Sequence, residues 1–189
     1  MKINLIIIAV CLVAFLARAQ EEKEKGGFKW PNGLRFGAQW STLREVGGGT
    51  EDPISGFYAG YLRRVNLIPF FRLETGMEYM QGGGHLVNNT KLKLHYLVLP
   101  LQVVAKLGPL FITGGANANF LLHQDLFVDG NKQGLNSDNK ASFFDVTVDG
   151  GAGLSILFLA IELRYYYGLM EVKNQYHNQQ LQLGLKIHF

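Results

Sequence analysis

The last eleven residues of the chain, Gln179 to Phe189, alternate without a break and stop on an aromatic. Leu181, Leu183, Leu185, Ile187 and Phe189 fall on one side. Gln180, Gln182, Gly184, Lys186 and His188 fall on the other. A period of two over that length is a β-strand with one apolar and one polar face. The apolar face needs either lipid or a core along its whole length, and few architectures supply that to every strand of a chain.

The N-terminus carries a different signal. Lys2 gives a positive start, Leu5 to Leu16 is almost wholly apolar, and Ala17-Arg18-Ala19 fits a small-x-small cleavage pattern. Residues 1–19 read as a secretory signal peptide. The apolar run falls short of the roughly 20 residues of a spanning helix, and no later stretch approaches that length. The one cysteine, Cys11, lies inside the signal, so the mature chain is expected to have no disulfide and no thiolate metal site. Without Lys2 and Arg18 the 18 basic residues fall to 16 against 15 acidic ones. That near balance gives no warrant for nucleic-acid binding. The 23 glycines, 13 Phe, 8 Tyr and 2 Trp suit a curved sheet with aromatics at a membrane interface.

Period-two runs recur eight times, at 34–41, 56–64, 70–81, 92–105, 110–122, 142–156, 159–169 and 179–189. Most reach the 9–11 residues that a tilted membrane strand needs. The connections after the second, fourth and sixth runs are short: Val65–Pro69, Lys106–Pro109 and Leu157–Phe158. Those after the first, third, fifth and seventh are longer and rich in turn formers. They include Gly47-Gly48-Gly49, Gly82-Gly83-Gly84 to Asn89, His123 to Lys140, and Glu171 to Asn178. Short turns on one side and long loops on the other is the pattern of an outer-membrane barrel, with both termini on the periplasmic side. The expected fold is therefore all-β: an eight-stranded antiparallel up-and-down transmembrane β-barrel over residues 34–189, after a short periplasmic segment at 20–33.

The faces carry the same message. In the third run Phe71, Leu73, Thr75, Met77 and Tyr79 oppose Arg72, Glu74, Gly76 and Glu78. In the sixth, Phe144, Val146, Val148, Ala152 and Leu154 oppose Asp145, Thr147, Asp149 and Ser155. The seventh sets Ile161, Leu163, Tyr165 and Tyr167 against Glu162, Arg164 and Tyr166. The apolar sets are expected to face lipid. Trp40, Phe57, Tyr79, Phe120, Phe144 and Tyr167 share that parity near the long-loop ends, as an interfacial girdle would. Two runs are less regular. The second has Phe57, Tyr58, Tyr61 and Leu62 on both faces. The fourth alternates from Leu92 to Tyr96, with Lys93 and His95 expected inward. Both its faces then become apolar, and Pro100 suggests a bulge or strand end near the periplasmic rim.

Several stretches resemble a known family, the PorT-like small outer-membrane barrels. They are Gly56-Phe57-Tyr58-Ala59-Gly60, Leu73-Glu74-Thr75-Gly76-Met77-Glu78-Tyr79, the Tyr96-Leu97-Val98-Leu99-Pro100-Leu101 stretch, and Gly114-Gly115-Ala116. The terminal Phe189 with its alternating apolar residues is similar to the C-terminal signal that the barrel-insertion machinery reads. The resemblance implies the bacterial outer membrane and that machinery as a partner. It implies no catalytic signature, and some members are tied to secretion across the envelope. Fold analogy does not choose among such roles.

Residues for chemistry are sparse. The inward set holds Glu74, Glu78, Asp145, Asp149 and Glu162 against Arg35, Arg72, Lys93, Arg164 and Lys186. An eight-stranded interior is just wide enough for side chains to fill, so these are expected to pair and plug the lumen. A proton path or ligand pocket is the alternative. His85, His123 and His177 fall in three expected external loops, with Asp125 and Asp138 nearby in sequence, and lack metal-ligand spacing. The glycine triplets do not open a helix and read as loop flexibility. Asn88-Asn89-Thr90 matches a glycosylation sequon, which needs a route that the barrel signal argues against.

The sequence thus points to a non-enzymatic envelope protein with no catalytic, metal or cofactor residues. Its expected partners are outer-membrane lipid, the insertion machinery and an unidentified protein, with no nucleic acid. A rim-active membrane enzyme and a soluble periplasmic ligand-binding barrel are the alternatives.

Overall fold

The structure is a computed structural model, and it describes residues 32–45, 53–86, 90–128, 131–133, 141–173 and 176–189. The expected signal peptide and nearly all of the 20–33 segment lie outside these residues. So do Gly47 to Thr50, Asn88, Asn89, Gly134 and Asp138.

Among the described residues nine strands follow one another: β1 Asn32–Glu45, β2 Ile54–Ile68, β3 Phe71–Leu86, β4 Thr90–Leu107, β5 Leu110–Val128, β6 Asn131–Gln133, β7 Phe144–Ile156, β8 Leu159–Lys173 and β9 Tyr176–His188. Eight long ones pair antiparallel with their sequence neighbours, and β1 pairs with β9, so the sheet closes on itself. The fold is the eight-stranded antiparallel barrel expected, with the short β6 added beside the far end of β5. The seam between last and first strand runs from Gly33↔His188 to Glu45↔Tyr176. Closure leaves no unpaired long edge, which lipid does not tolerate.

Side-chain parity follows the sequence in six of the long strands. Leu34, Phe36, Trp40, Met77, Ile112, Val148, Leu154, Ile161, Leu163, Leu181, Leu183 and Leu185 are exposed on the outer wall. Their polar neighbours Arg35, Gln39, Glu74, Glu78, Asn117, Asp145, Thr147, Glu162, Arg164 and Gln182 are buried inside. An outer wall that is apolar over this height is a lipid-facing surface. It is the reverse of the soluble ligand-binding barrel, whose apolar face would turn inward. β2 resolves its ambiguity with Phe57 and Tyr61 outward and Tyr58 and Leu62 inward.

β4 runs opposite to expectation. Leu92, Leu94, Tyr96 and Val98 are the buried set, while Lys93 is exposed and His95 half-buried on the outer wall. Placing Lys93 and His95 inward was wrong because this part of the strand carries an apolar core of its own. Leu92, Leu94, Tyr96 and Val98 pack with Tyr58, Met80, Leu126 and Ala141. The alternation was real, and only its inside and outside were exchanged. Pro100 marks neither a bulge nor a rim. It is buried mid-strand opposite Asn117, and the β3–β4 ladder skips the positions between Thr75↔Leu101 and Glu78↔Val98. The missing N–H of proline is accommodated by that gap.

Loop lengths also differ from expectation, since much of the length read as loop is strand. β3 continues through Gly82, Gly83 and Gly84 to Leu86, and β5 continues through His123 to Val128. The triplet is therefore strand, and not loop flexibility. Gly83 sits at φ 118, where an added Cβ would lie 2.0 Å from the Leu92 carbonyl oxygen. Its N–H donates to Ser41 Oγ at 2.9 Å, and that hydroxyl donates back to the Gly83 carbonyl at 2.6 Å.

Candidate functional site

Two regions gather polar side chains, one inside the barrel and one on its outer wall. The inner one begins at Arg35, fully buried on β1. Its Nη1 donates to Glu78 at 2.7 Å, and its Nη2 donates to Gln102 at 2.8 Å and Glu74 at 3.2 Å. Glu74 also accepts from Arg64 Nε at 2.7 Å and Lys186 Nζ at 2.9 Å. Lys186 forms a second close pair with Glu162, which lies 2.6 Å from Arg164 Nε. The Arg164 guanidinium rests between the rings of Tyr58 and Tyr166, 5.3 and 5.1 Å from their centroids. Asp149 accepts instead from two amides, Gln102 and Asn117, each at 2.8 Å.

The expected inward charges are thus mostly where the sequence put them, with three differences. Lys93 is outside. Arg72 has inward parity and lines the rim near Glu74, without an ion-pair partner among the described residues. Arg64, not among the residues expected inside, joins the network. It stands six residues after Tyr58, so the parity of β2 would have found it once Tyr58 was known to be inside. An apolar layer borders the network on each side. Tyr58, Met80, Leu92, Leu94 and Tyr96 lie toward the long-connection end, and Val104, Phe111 and Ala160 toward the short turns.

The outer region exists because β3, β4 and β5 run on past the aromatic girdle. Below it, Phe57 meets Tyr79 at 5.6 Å between centroids and Phe120 meets Phe144 at 5.3 Å. Above it, β5 gains a bulge: His95 pairs with His123 but Tyr96 pairs with Leu121, leaving Leu122 unmatched. The extra residue inverts the parity of β5. Gln124 and Leu126 now point in, and His123, Asp125 and Phe127 point out. On β4 the outward residues at this height are Lys91, Lys93 and His95.

These side chains form a connected chain on the wall. Tyr79 Oη and His95 Nδ1 are hydrogen-bonded at 2.6 Å. The His95 and His123 rings lie 5.8 Å apart. His123 Nε2 is 3.1 Å from Asp125 Oδ1, which also holds Lys132 Nζ of β6 at 2.5 Å. That hydrogen bond from Lys132 holds the Asp125 carboxyl below the usual carboxylate range. Lys93 sits 5.6 Å from the centre of the Phe127 ring. Beside them runs a groove of about 170 Å³, lined by Ser55, Gln81, Lys93, His95, Asp125 and Phe127 with Ile54 and Gly82.

The three histidines expected in external loops are strand residues instead. His85 and His123 are in β3 and β5. His177 is in β9, stacked on Tyr167 at 5.9 Å with its Nδ1 3.1 Å from the Gly168 carbonyl oxygen. They do not converge. His95, on the wall beside His123, was hidden by the wrong parity of β4. Among the described residues no three His, Cys, Asp or Glu side chains are grouped as metal ligands.

A family model, the outer membrane protein beta-barrel domain, matches residues 19–174. No curated protein sequence matches the chain. Among solved structures, the chain is similar to Ail, the attachment invasion locus protein of Yersinia pestis. The two are 13% identical at a TM-score of 0.53, over 86% of this chain and 100% of Ail. Ail has also been solved in complex with the heparin analogue sucrose octasulfate, and that structure is 14% identical at a TM-score of 0.53, with the same coverage. Neisserial surface protein A is 13% identical at a TM-score of 0.59, over 84% of this chain and 97% of that one.

Proposed function

The chain belongs to the outer membrane protein beta-barrel domain family, and from that premise we propose a non-enzymatic integral protein of the bacterial outer membrane. Its lumen is closed to passage, and its contacts are made by the wall and loops at the long-connection end. That end is external, and both termini are periplasmic after removal of the signal peptide. The motifs shared with PorT-like barrels favour that subgroup.

The one-sided extension of the sheet carries this reading. The strands end in short turns on one side, while β3, β4 and β5 rise well beyond the girdle on the other. The extension has an apolar inner layer of its own, which makes it a rigid platform. Its outer wall carries Lys91, Lys93 and Lys132 against Asp125, with Phe127 in the groove. Ammonium groups beside an aromatic floor suit sulfated or phosphorylated sugars. Support for a closed lumen comes from the buried ion pairs and the two apolar layers.

Sucrose octasulfate is the probe, titrated onto the purified protein in detergent. Saturable binding that weakens at least tenfold in the Lys91→Gln, Lys93→Gln, Lys132→Gln triple variant is expected. Equal binding by variant and parent would sink the assignment of the wall.

A further inference from the structure

We propose that the three short turns are inserted in the acyl chains of the inner leaflet of the outer membrane, so that this end of the barrel offers no platform to the periplasm. This rests on the orientation proposed above, and the test below reads depth whichever way the barrel points.

The first observation is chemical. Residues 65–70, 107–110 and 156–159 contain no charged side chain. Their side chains are nevertheless held outward: Ile68 is 57% exposed, Phe70 64%, Leu107 64%, Ile156 68% and Leu157 90%. Turns in water select Gly, Asn, Asp and Ser. Asn66 and Gly108 are of that kind, with Gly108 at φ 65, yet every connection at this end also displays large apolar groups, and Phe189 at the same end is 68% exposed.

The second observation is conformational. Leu157 opens a two-residue hairpin at φ 56, in the left-handed region where glycine or asparagine is favoured. A leucine is a costly choice there unless its side chain gains something from its surroundings. The turns are also fastened. Lys106 N donates to the Phe70 carbonyl at 2.8 Å, Ser155 N to Pro109 at 2.7 Å, and His188 N to Phe158 at 2.8 Å. The apolar side chains are therefore presented by a rigid rim.

The third is depth. With a rise of about 3.3 Å per residue and a tilt of about 40°, each strand residue descends about 2.5 Å. Ten residues separate Phe120 from Leu110, and ten separate Leu97 from Leu107, so both lie about 25 Å below the girdle. The apolar band of such barrels is about 25 Å tall, so the turns reach its lower boundary; the charged side chains at this height, Arg64, Arg72 and Lys106, line the mouth inside the ring and leave its outer face apolar. Arg63, outward and exposed six residues beyond Phe57, lies within the band by this count. Its long side chain can run down toward the headgroups.

The occupant is thus hydrocarbon. A protein partner would have to cover a ring that the bilayer already reaches. The test uses the full chain with Trp30 and Trp40 replaced by Phe and a single tryptophan introduced as Phe158→Trp, Phe70→Trp or Leu107→Trp. Folding is checked by heat-modifiable gel migration, and whichever of the three fold report the same rim. Each protein is placed in phosphatidylcholine vesicles brominated at different acyl depths and separately exposed to iodide. Strong quenching by brominated chains, with iodide quenching at least threefold weaker than for His123→Trp, is expected. Quenching by iodide equal to that of His123→Trp, without quenching by brominated lipid, would overturn the proposal. Leu157→Asn gives an independent reading, because asparagine suits the backbone. Its folding equilibrium constant in vesicles should fall severalfold, and a rise would mean a water-exposed turn. Orientation in cells, tested separately by surface labelling, can fail without altering these results.

Discussion

Replacing Glu162 by glutamine removes one of three carboxylates from a buried network. Four cations, Arg35, Arg64, Arg164 and Lys186, face Glu74, Glu78 and Glu162 across eight ion pairs. Glu162→Gln keeps the shape of the side chain and leaves four cations against two carboxylates. Lys186, 1% exposed, retains Glu74 at 2.9 Å, and Arg164 retains Glu78 at 3.7 Å, the Gln182 amide and the Tyr58 and Tyr166 rings. Removing one partner of a buried pair costs about 3–5 kcal/mol, and the surviving contacts place this change near the lower end. Lys186→Met in the same chain restores the original excess of one cation. The double variant should therefore recover at least half of the loss, which independent contributions would not predict. Urea unfolding in phospholipid vesicles, followed by tryptophan emission and gel migration, gives all four corners of the cycle. A loss below about 1 kcal/mol for Glu162→Gln would mean that water reaches the network and screens it, and would refute the closed lumen as well.

Three other outcomes follow from the same geometry. Purified protein in planar bilayers should show no stable ohmic conductance, and steady porin-like steps would refute a lumen closed between its apolar layers. Leu183→Lys on the lipid face should cost roughly 2–4 kcal/mol near the midplane; Gln182→Lys, which polarity alone would make the mild control, should cost at least as much, because Gln182 is fully buried beside the Arg164 guanidinium. Gly184→Ala should lower the folded fraction on heat-modifiable gels and be partly rescued by Tyr58→Phe, since an added Cβ would meet the Tyr58 hydroxyl at 1.9 Å; full folding of Gly184→Ala alone would show that the Tyr58 ring is not held across the seam.

The fold was legible because lipid enforces a rule that the sequence must obey residue by residue. In β3, β7, β8 and β9 one face meets hydrocarbon and the other a polar interior, so alternation reports direction as well as period. β4 broke the inference because its inner neighbours above the girdle are Met80, Tyr58 and Leu126, which are apolar as well. Alternation survives there, but hydrophobicity no longer says which side is inside. The bulge at Leu122 then hid the wall cluster, because His123 and Asp125 change sides through a residue that no pattern marks. Pro100 was misplaced for a related reason: a ladder gap opposite Gly76 and Met77 cannot be read from β4 alone. Arg64 was missed because β2 has aromatics on both faces, so its register needed the partner strands.

The seam between β1 and β9 sets an order of events. Gly33 lies against His188, 155 residues later in the chain, and thirteen such pairs join the first strand to the last. Contacts of that sequence separation are the slow ones to form, because the loop between them must be ordered before they repay it. Until β9 has arrived, β1 has one open edge and β4 to β8 have no way to complete the ring. The assembling sheet therefore exposes a strand edge until β1 and β9 have paired. The strand whose arrival ends that exposure is β9, Tyr176–His188. The time spent waiting for the last strand, more than the stability of the finished barrel, is where this protein is most open to aggregation.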